Sequence, residues 1–331
     1  MKKYSILILI MILAVKMQGQ SYHFSQFYST PILVNPASTG NYPGDIRISG
    51  NFRSQWAADN NPYLTTALSA EYRLLREELP TTSKFGVGMT FLNDVSLGNA
   101  VKVNGIGASV GYNIGLDAAG IHSLGAGIHG TFTNRRIDVS RLTFENQFGP
   151  GGFDPSLPIG ENIGNTSNSF FDVNAGLMYN ADYDKKGYFL GVSVFNSFQH
   201  PENILDEQYK MPMRYSIQAG GNFLVDPFTR VYLSGNTMSQ AEVMETTIGG
   251  AVGRLLLEGT RDEIYLGLWY RIGDAFCPYV GYQLAGFRAG LTVDVTTSKV
   301  KTGSNIRNAI ELSLVYSPWD VFEKSRSRPW Y

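Results

Sequence analysis

The sequence holds a single cysteine, Cys277, among 331 residues, so no internal disulfide is available to it. Beyond the first twenty residues no apolar run approaches the roughly 18 residues a helix needs to cross a bilayer, which excludes a helical membrane protein. Charge of either sign is not in excess: 27 Lys and Arg stand against 28 Asp and Glu. The chain therefore lacks the field that draws in nucleic acid. Its four histidines, His23, His122, His129 and His200, have no metal-ligand spacing, and neither a metal nor another cofactor is expected. No nucleophile elbow or nucleophile–base pair stands out for an enzyme.

Period-two alternation is abundant. Over Asp262–Thr297, Ile264, Leu266, Leu268, Tyr270 and Ile272 alternate with Glu263, Tyr265, Gly267, Trp269 and Arg271, which puts the two sets on opposite faces of a strand. Breaks follow at Gly273-Asp274 and Ala285-Gly286, with further strands through Val280 and Leu291. Such strands run to about ten residues against a usual five or six. At roughly 3.3 Å per residue and a tilt near 40° they span about 25 Å, the height of an outer-membrane apolar band. The pattern recurs from Ile46 to Tyr316 and predicts an all-β transmembrane barrel of about 14 antiparallel strands. The strand around Val231 and Leu233 is the weakest of them. A soluble sandwich would also alternate, with shorter strands and no leader. Trp56, Tyr72, Tyr112, Tyr179 and Tyr316 mark expected interfaces. Glycine, at 36 residues, exceeds its usual share of about 7%, and the second face reads as polar, charged or glycine.

Residues 1–20 read as a secretory signal peptide, with Lys2 and Lys3 ahead of an apolar core from Ile6 to Val15 and cleavage between Met17 and Ser21. Residues 21–44 form a separate aromatic and proline segment, expected at the periplasmic mouth or in the lumen, because Pro31 and Pro36 remove ladder donors. Residues 45–317 are the barrel and 318–331 a periplasmic tail carrying Lys324, Arg326, Arg328, Trp330 and Tyr331. That tail reads as a partner contact, a solvated end or an assembly signal. An even strand count puts both termini on one side, the periplasm. Short Asp- and Gly-rich turns at Asp117–Gly120, Asp182–Gly187, Asp226–Thr229 and Ala285–Gly286 suit that side. The long loops Thr133–Asn168, Gln199–Pro212 and Thr296–Ser304 suit the exterior. Arg73–Lys84 is long for its side and Gly273-Asp274 short.

Two motifs fail on context. Gly125-Ala126-Gly127-Ile128-His129-Gly130 matches the dinucleotide pattern but lies in a strand with no helix after it, so small residues facing a lumen explain it. Asp182-Tyr183-Asp184-Lys185-Lys186-Gly187 imitates a calcium loop, yet the position for the bidentate acid is Ser193. Inward Glu71, Arg214, Glu245, Glu263, Arg271, Arg288, Asp294 and Glu311 read either as an ion pathway or, with balanced signs, as groups neutralising one another in a filled lumen.

The most specific stretch follows the leader: Tyr22-His23-Phe24-Ser25-Gln26-Phe27-Tyr28, then Pro31, Asn35-Pro36-Ala37 and Thr39-Gly40, with Arg53-Ser54-Gln55-Trp56 closing the first strand. This resembles the PorP/SprF family of Bacteroidetes outer-membrane proteins associated with the type IX secretion system. The resemblance implies a non-enzymatic barrel in the outer membrane, surrounded by lipid. Its implied role is to anchor or surface-localise a secreted adhesin or cargo through that cargo's C-terminal domain, or to serve as an accessory contacting periplasmic secretion components. His23, Phe24, Ser25, Gln26, Phe27, Tyr28, Asn35, Pro36, Arg53 and Trp56 become the partner-binding candidates, with a structural seal as the equal alternative. The loop Thr133–Asn168 is the leading cargo contact, and the rival reading is a channel or uptake protein for a small solute.

Overall fold

A computed structural model of the chain describes residues 22–56, 61–75, 78–80, 82–160, 166–204, 207–256, 262–297 and 308–318. The leader, its cleavage site, most of Thr296–Ser304 and the tail beyond Pro318 lie outside the described residues. The strands are β1 (Ile46–Gln55), β2 (Tyr63–Leu74), β3 (Lys84–Ser96), β4 (Val101–Gly115), β5 (His122–Ile137), β6 (Phe148–Gly149), β7 (Gly152–Phe153), β8 (Ser167–Asp182) and β9 (Lys186–Phe195). They continue as β10 (Pro201–Ile204), β11 (Glu207–Lys210), β12 (Arg214–Asp226), β13 (Thr229–Gln240), β14 (Val243–Leu255), β15 (Glu263–Arg271), β16 (Ala275–Leu284), β17 (Phe287–Thr296) and β18 (Ala309–Tyr316). Fourteen of these close into one antiparallel barrel, each beside its neighbour in sequence, with β18 returning to β1. The other four form two small hairpins, β6 with β7 and β10 with β11. Closure leaves no strand edge unpaired, which a lipid environment requires.

Side chains alternate as the sequence predicts. Ile264, Leu266 and Leu268 point outward on β15, while Glu263, Tyr265, Trp269 and Arg271 are buried inside. Ile46, Ile48 and Phe52 face out on β1, and Arg47, Asn51 and Arg53 face in. The outer belt is thus a continuous apolar surface. The inner face departs from a purely polar or glycine lining, because Tyr232, Tyr265, Trp269 and Tyr279 are buried there. The weakly patterned ninth barrel strand is a full element, β13, of 12 residues. It turns into β14 through Ala241-Glu242, both at positive φ, 53° and 66°. Neither residue signals a turn in sequence, whereas Gly286 at φ 89° does.

The mouth where β1 begins and β18 ends is here called lower, and the opposite one upper. Short connections at 116–121, 183–185, 227–228 and 285–286 lie at the lower mouth, and the longer ones at 138–166 and 196–213 at the upper.

Arginine in place of Leu266, at the middle of the outer belt, is expected to cost about 2–4 kcal/mol, as cations do at the bilayer midplane. Urea unfolding of the barrel in lipid vesicles measures this, and the same change at upper-loop Leu157 should cost close to nothing.

Candidate functional site

The lumen is filled by the chain's own N-terminal segment. Every residue from Phe24 to Gly44 is buried, although none belongs to a strand. From Asp45 at the lower mouth, where Arg73 donates to the Gly44 carbonyl at 3.1 Å, the segment runs backward up the barrel. It ends near the upper strand ends, with the Tyr22 ring 5.6 Å from the Arg214 guanidinium at the start of β12. The segment, expected at the periplasmic mouth or in the lumen, spans the lumen almost from mouth to mouth. The reason is local: Pro31, Pro36 and the one-turn helices Phe27–Ser29, Pro31–Val34 and Pro36–Ser38 make it compact and unable to join the wall.

Its middle lies flat on glycines. Asn35-Pro36-Ala37-Ser38-Thr39-Gly40 crosses Gly191, Gly176, Gly127, Gly111 and Gly86, one from each of five adjacent strands, β9, β8, β5, β4 and β3. A Cβ at Gly127 would strike the Pro36 carbonyl, at Gly111 the Thr39 carbonyl and at Gly86 the Gly40 backbone. Close backbone approach is what glycine permits here. Asn35 fixes the position: its Nδ2 donates to the Leu177 and Val192 carbonyls at 3.0 and 3.3 Å, and its Oδ1 accepts from Ala37 N–H at 2.9 Å. Below it, Glu71 pairs with Arg47 at 2.7 Å and accepts from Gly40 N–H at 3.2 Å, and Arg47 donates to the Ser38 carbonyl.

The upper part is held by charge. Glu311 on β18 accepts the main-chain N–H groups of Ser25 and Gln26, each at 2.8 Å. Directly across the closure seam on β1, Arg53 lies 3.1 Å from the same carboxylate and 2.8 Å from Asp294. Arg271 joins Asp294 at 2.5 Å, and Ser25 Oγ donates to Asp294 at 2.8 Å. Arg47, Glu71, Arg53, Arg271, Asp294 and Glu311 thus neutralise one another around the plug. The His23 imidazole Nδ1 stands 3.6 Å from the Glu245 carboxylate. Aromatic stacking completes the seat: Tyr28 lies 4.9 Å from Trp269 and 5.7 Å from Tyr279, and Phe27 and Val34 pack into the same cluster.

Of the ten candidates, His23 to Tyr28, Asn35, Pro36 and Arg53 come together within the lumen, all but His23 fully buried. Trp56 stands apart at the upper end of β1, half-buried, with its ring 4.8 Å from Tyr63 and its main-chain N–H donating to the Asn308 carbonyl. Tyr232, Tyr265, Trp269, Tyr279 and the glycine track escape a reading of single strands, because only closure aims them at one occupant. Against the expectation of no nucleophile elbow, Gly107-Ala108-Ser109-Val110-Gly111 spells that hydrolase pattern, yet it lies inside β4 with no helix after it. Ser109 shares a 2.6 Å hydrogen bond with Thr39 of the plug. Cys277 is buried in the aromatic cluster. Among the described residues no three His, Cys, Asp or Glu side chains gather as a metal site.

Comparison with known proteins agrees with this architecture. Residues 16–316 match the family described as "Type IX secretion system membrane protein PorP/SprF". No curated protein sequence matches the chain. Among solved structures, the Ralstonia pickettii toluene transporter TbuX is similar at 9% identity and a TM-score of 0.52, covering 88% of this chain and 94% of its own. A Pseudomonas aeruginosa FadL homologue is similar at 11% identity and a TM-score of 0.50, covering 87% and 94%. At these identities the likeness concerns the fold: an outer-membrane β-barrel.

Glu311→Gln removes the anion facing Arg53 and two main-chain donors. It is expected to destabilise the folded barrel by about 3–5 kcal/mol, as loss of one partner of a buried pair does. Chemical denaturation reads this out, and a double-mutant cycle with Arg53→Met should return a coupling above about 1 kcal/mol.

Proposed function

The chain belongs to the type IX secretion system PorP/SprF membrane protein family, and on that premise we propose that it is a non-enzymatic outer-membrane anchor for a secreted adhesin or cargo. In this reading the lower mouth faces the periplasm, where secretion components reach it, and the upper loops bind the C-terminal domain of the cargo. The carrying observation is the filled lumen. With Phe24–Gly44 packed wall to wall, a polypeptide has no route through the barrel, and the accessible surfaces are its loops. The upper loops carry apolar groups clear of the lipid belt: Phe148 and Phe153, 5.3 Å apart on the β6–β7 hairpin, with exposed Leu157 nearby. Aromatic groups of this kind anchor protein interfaces.

His23 to Tyr28, Asn35, Pro36 and Arg53 then act as the seal that shapes the barrel for its partner, and Trp56 at the upper rim is the member a partner touches. The rival reading, a channel or uptake protein for a small solute, requires the plug to leave.

In planar bilayers the mature chain is expected to show no steady conductance, and removal of residues 22–40 should open a pore. A steady open conductance of the intact chain would favour the channel. Replacing residues 145–157 by a short Gly-Ser linker should release the adhesin from the cell surface while the barrel still assembles. Full surface retention by that variant would count against docking on this loop.

A further inference from the structure

Above the plug the upper lumen keeps a cavity of about 130 Å³ that the anchoring role does not use. Tyr22 and Leu33 of the plug line it from one side, and side chains of β3, β4, β5, β8, β9 and β12 from the others. Arg214, at the start of β12, lines it with only 5% of its surface exposed. Its contacts are neutral. One Nη2–H donates to the Leu33 carbonyl at 3.2 Å, the guanidinium lies 4.2 Å over the Phe195 ring, and the Tyr22 ring faces it. Its Nε has no hydrogen-bond partner, and among the described residues no carboxylate forms an ion pair with it.

The nearby acids are engaged elsewhere. Asp94 accepts from Thr65 at 2.6 Å, and Glu245 lies 3.6 Å from His23 and acts on Arg214 through space, without an ion-pair contact. At the half-exposed rim Arg135 and Asp94 offset one another in charge. A buried guanidinium with no anion in direct contact is costly to hold, and its planar fork matches a carboxylate. His129, with its ring nitrogens against Thr90 and Asn174, and Thr131 add polar wall. Phe195 and Leu33 add apolar wall. An apolar cavity of about 150 Å³ accepts benzene, and this one, at about 130 Å³, is of the same order as a single ring requires.

We propose that this cavity binds a carboxylate carried on one aromatic or apolar body, with the carboxylate on Arg214 and the body against Phe195 and Leu33. Such a group exists as a free aromatic acid and as the C-terminal residue of a polypeptide. The inference is independent of the anchoring role, since it rests on the cavity and Arg214 alone.

Titration calorimetry of the mature chain in detergent, with benzoate and its uncharged analogue benzamide, tests it. Benzoate is expected to bind saturably and about tenfold more tightly than benzamide, the factor a charge-assisted pair supplies. Arg214→Gln should bring the two within about threefold of each other. Thr131→Phe, which fills the cavity without touching Arg214, should abolish both, and heat-modifiable gel migration confirms that each variant is folded. N-acetylphenylalanine separates the sources: binding as tight as benzoate points to a polypeptide end, and its exclusion to a free acid. Absence of benzoate binding to the native chain overturns the proposal, as do equal affinity for benzamide and a folded Arg214→Gln that keeps the preference.

Discussion

The Glu311 carboxylate accepts two main-chain N–H groups from the plug and faces Arg53 across the strand pair that closes the ring. One anion therefore fastens the lumen's contents to the closing line of the wall, the junction of first and last strands. β18 has only 8 residues, and the ion pairs of Arg53 with Glu311 and Asp294 reinforce its seam with β1. Charges buried this deep are tolerable only when their hydrogen-bonding capacity is met by neighbours. Ser25, Gln26, Asn51 and Arg271 supply those neighbours. Plug and seam thus depend on each other: without the plug the carboxylate loses two donors, and without closure the plug has no seat.

The two halves of the lumen accommodate the same segment by opposite means. On the side of β3 to β9 the wall retreats, with glycine after glycine letting backbone meet backbone. On the side of β13 to β16 the wall advances, and Tyr232, Tyr265, Trp269 and Tyr279 fill space the narrow segment leaves. Asymmetry of this kind fixes the rotation of the plug as well as its depth. A lumen lined uniformly by small or by large residues would hold the same chain in several settings, because packing alone would not distinguish them.

In the proposed reading, a barrel closed in this way serves as a lipid-embedded post rather than a conduit. Its outer belt needs only to be apolar and its interior only to be full, which leaves the upper loops and the small chamber beneath them free to carry recognition. The chamber also explains why Arg214, unlike Arg47, Arg53 and Arg271, has no carboxylate in direct contact: it stands where the plug ends and the filled lumen gives way to space.

The sequence by itself determined the number and phase of the barrel strands, because a strand with lipid on one side and protein on the other must alternate whatever its neighbours are. It also marked Tyr22–Gly40 as different, since prolines and crowded aromatics cannot join a ladder. Only the tertiary structure decided where that segment goes, and the reason is that its partners lie far away in the chain: Ser25 meets Glu311, Asn35 meets Leu177 and Val192, and Gly40 meets Gly86. Period two tells an inward residue that it faces the lumen. What waits there is set by closure, which brings strands hundreds of residues apart around one occupant, and no local pattern records it.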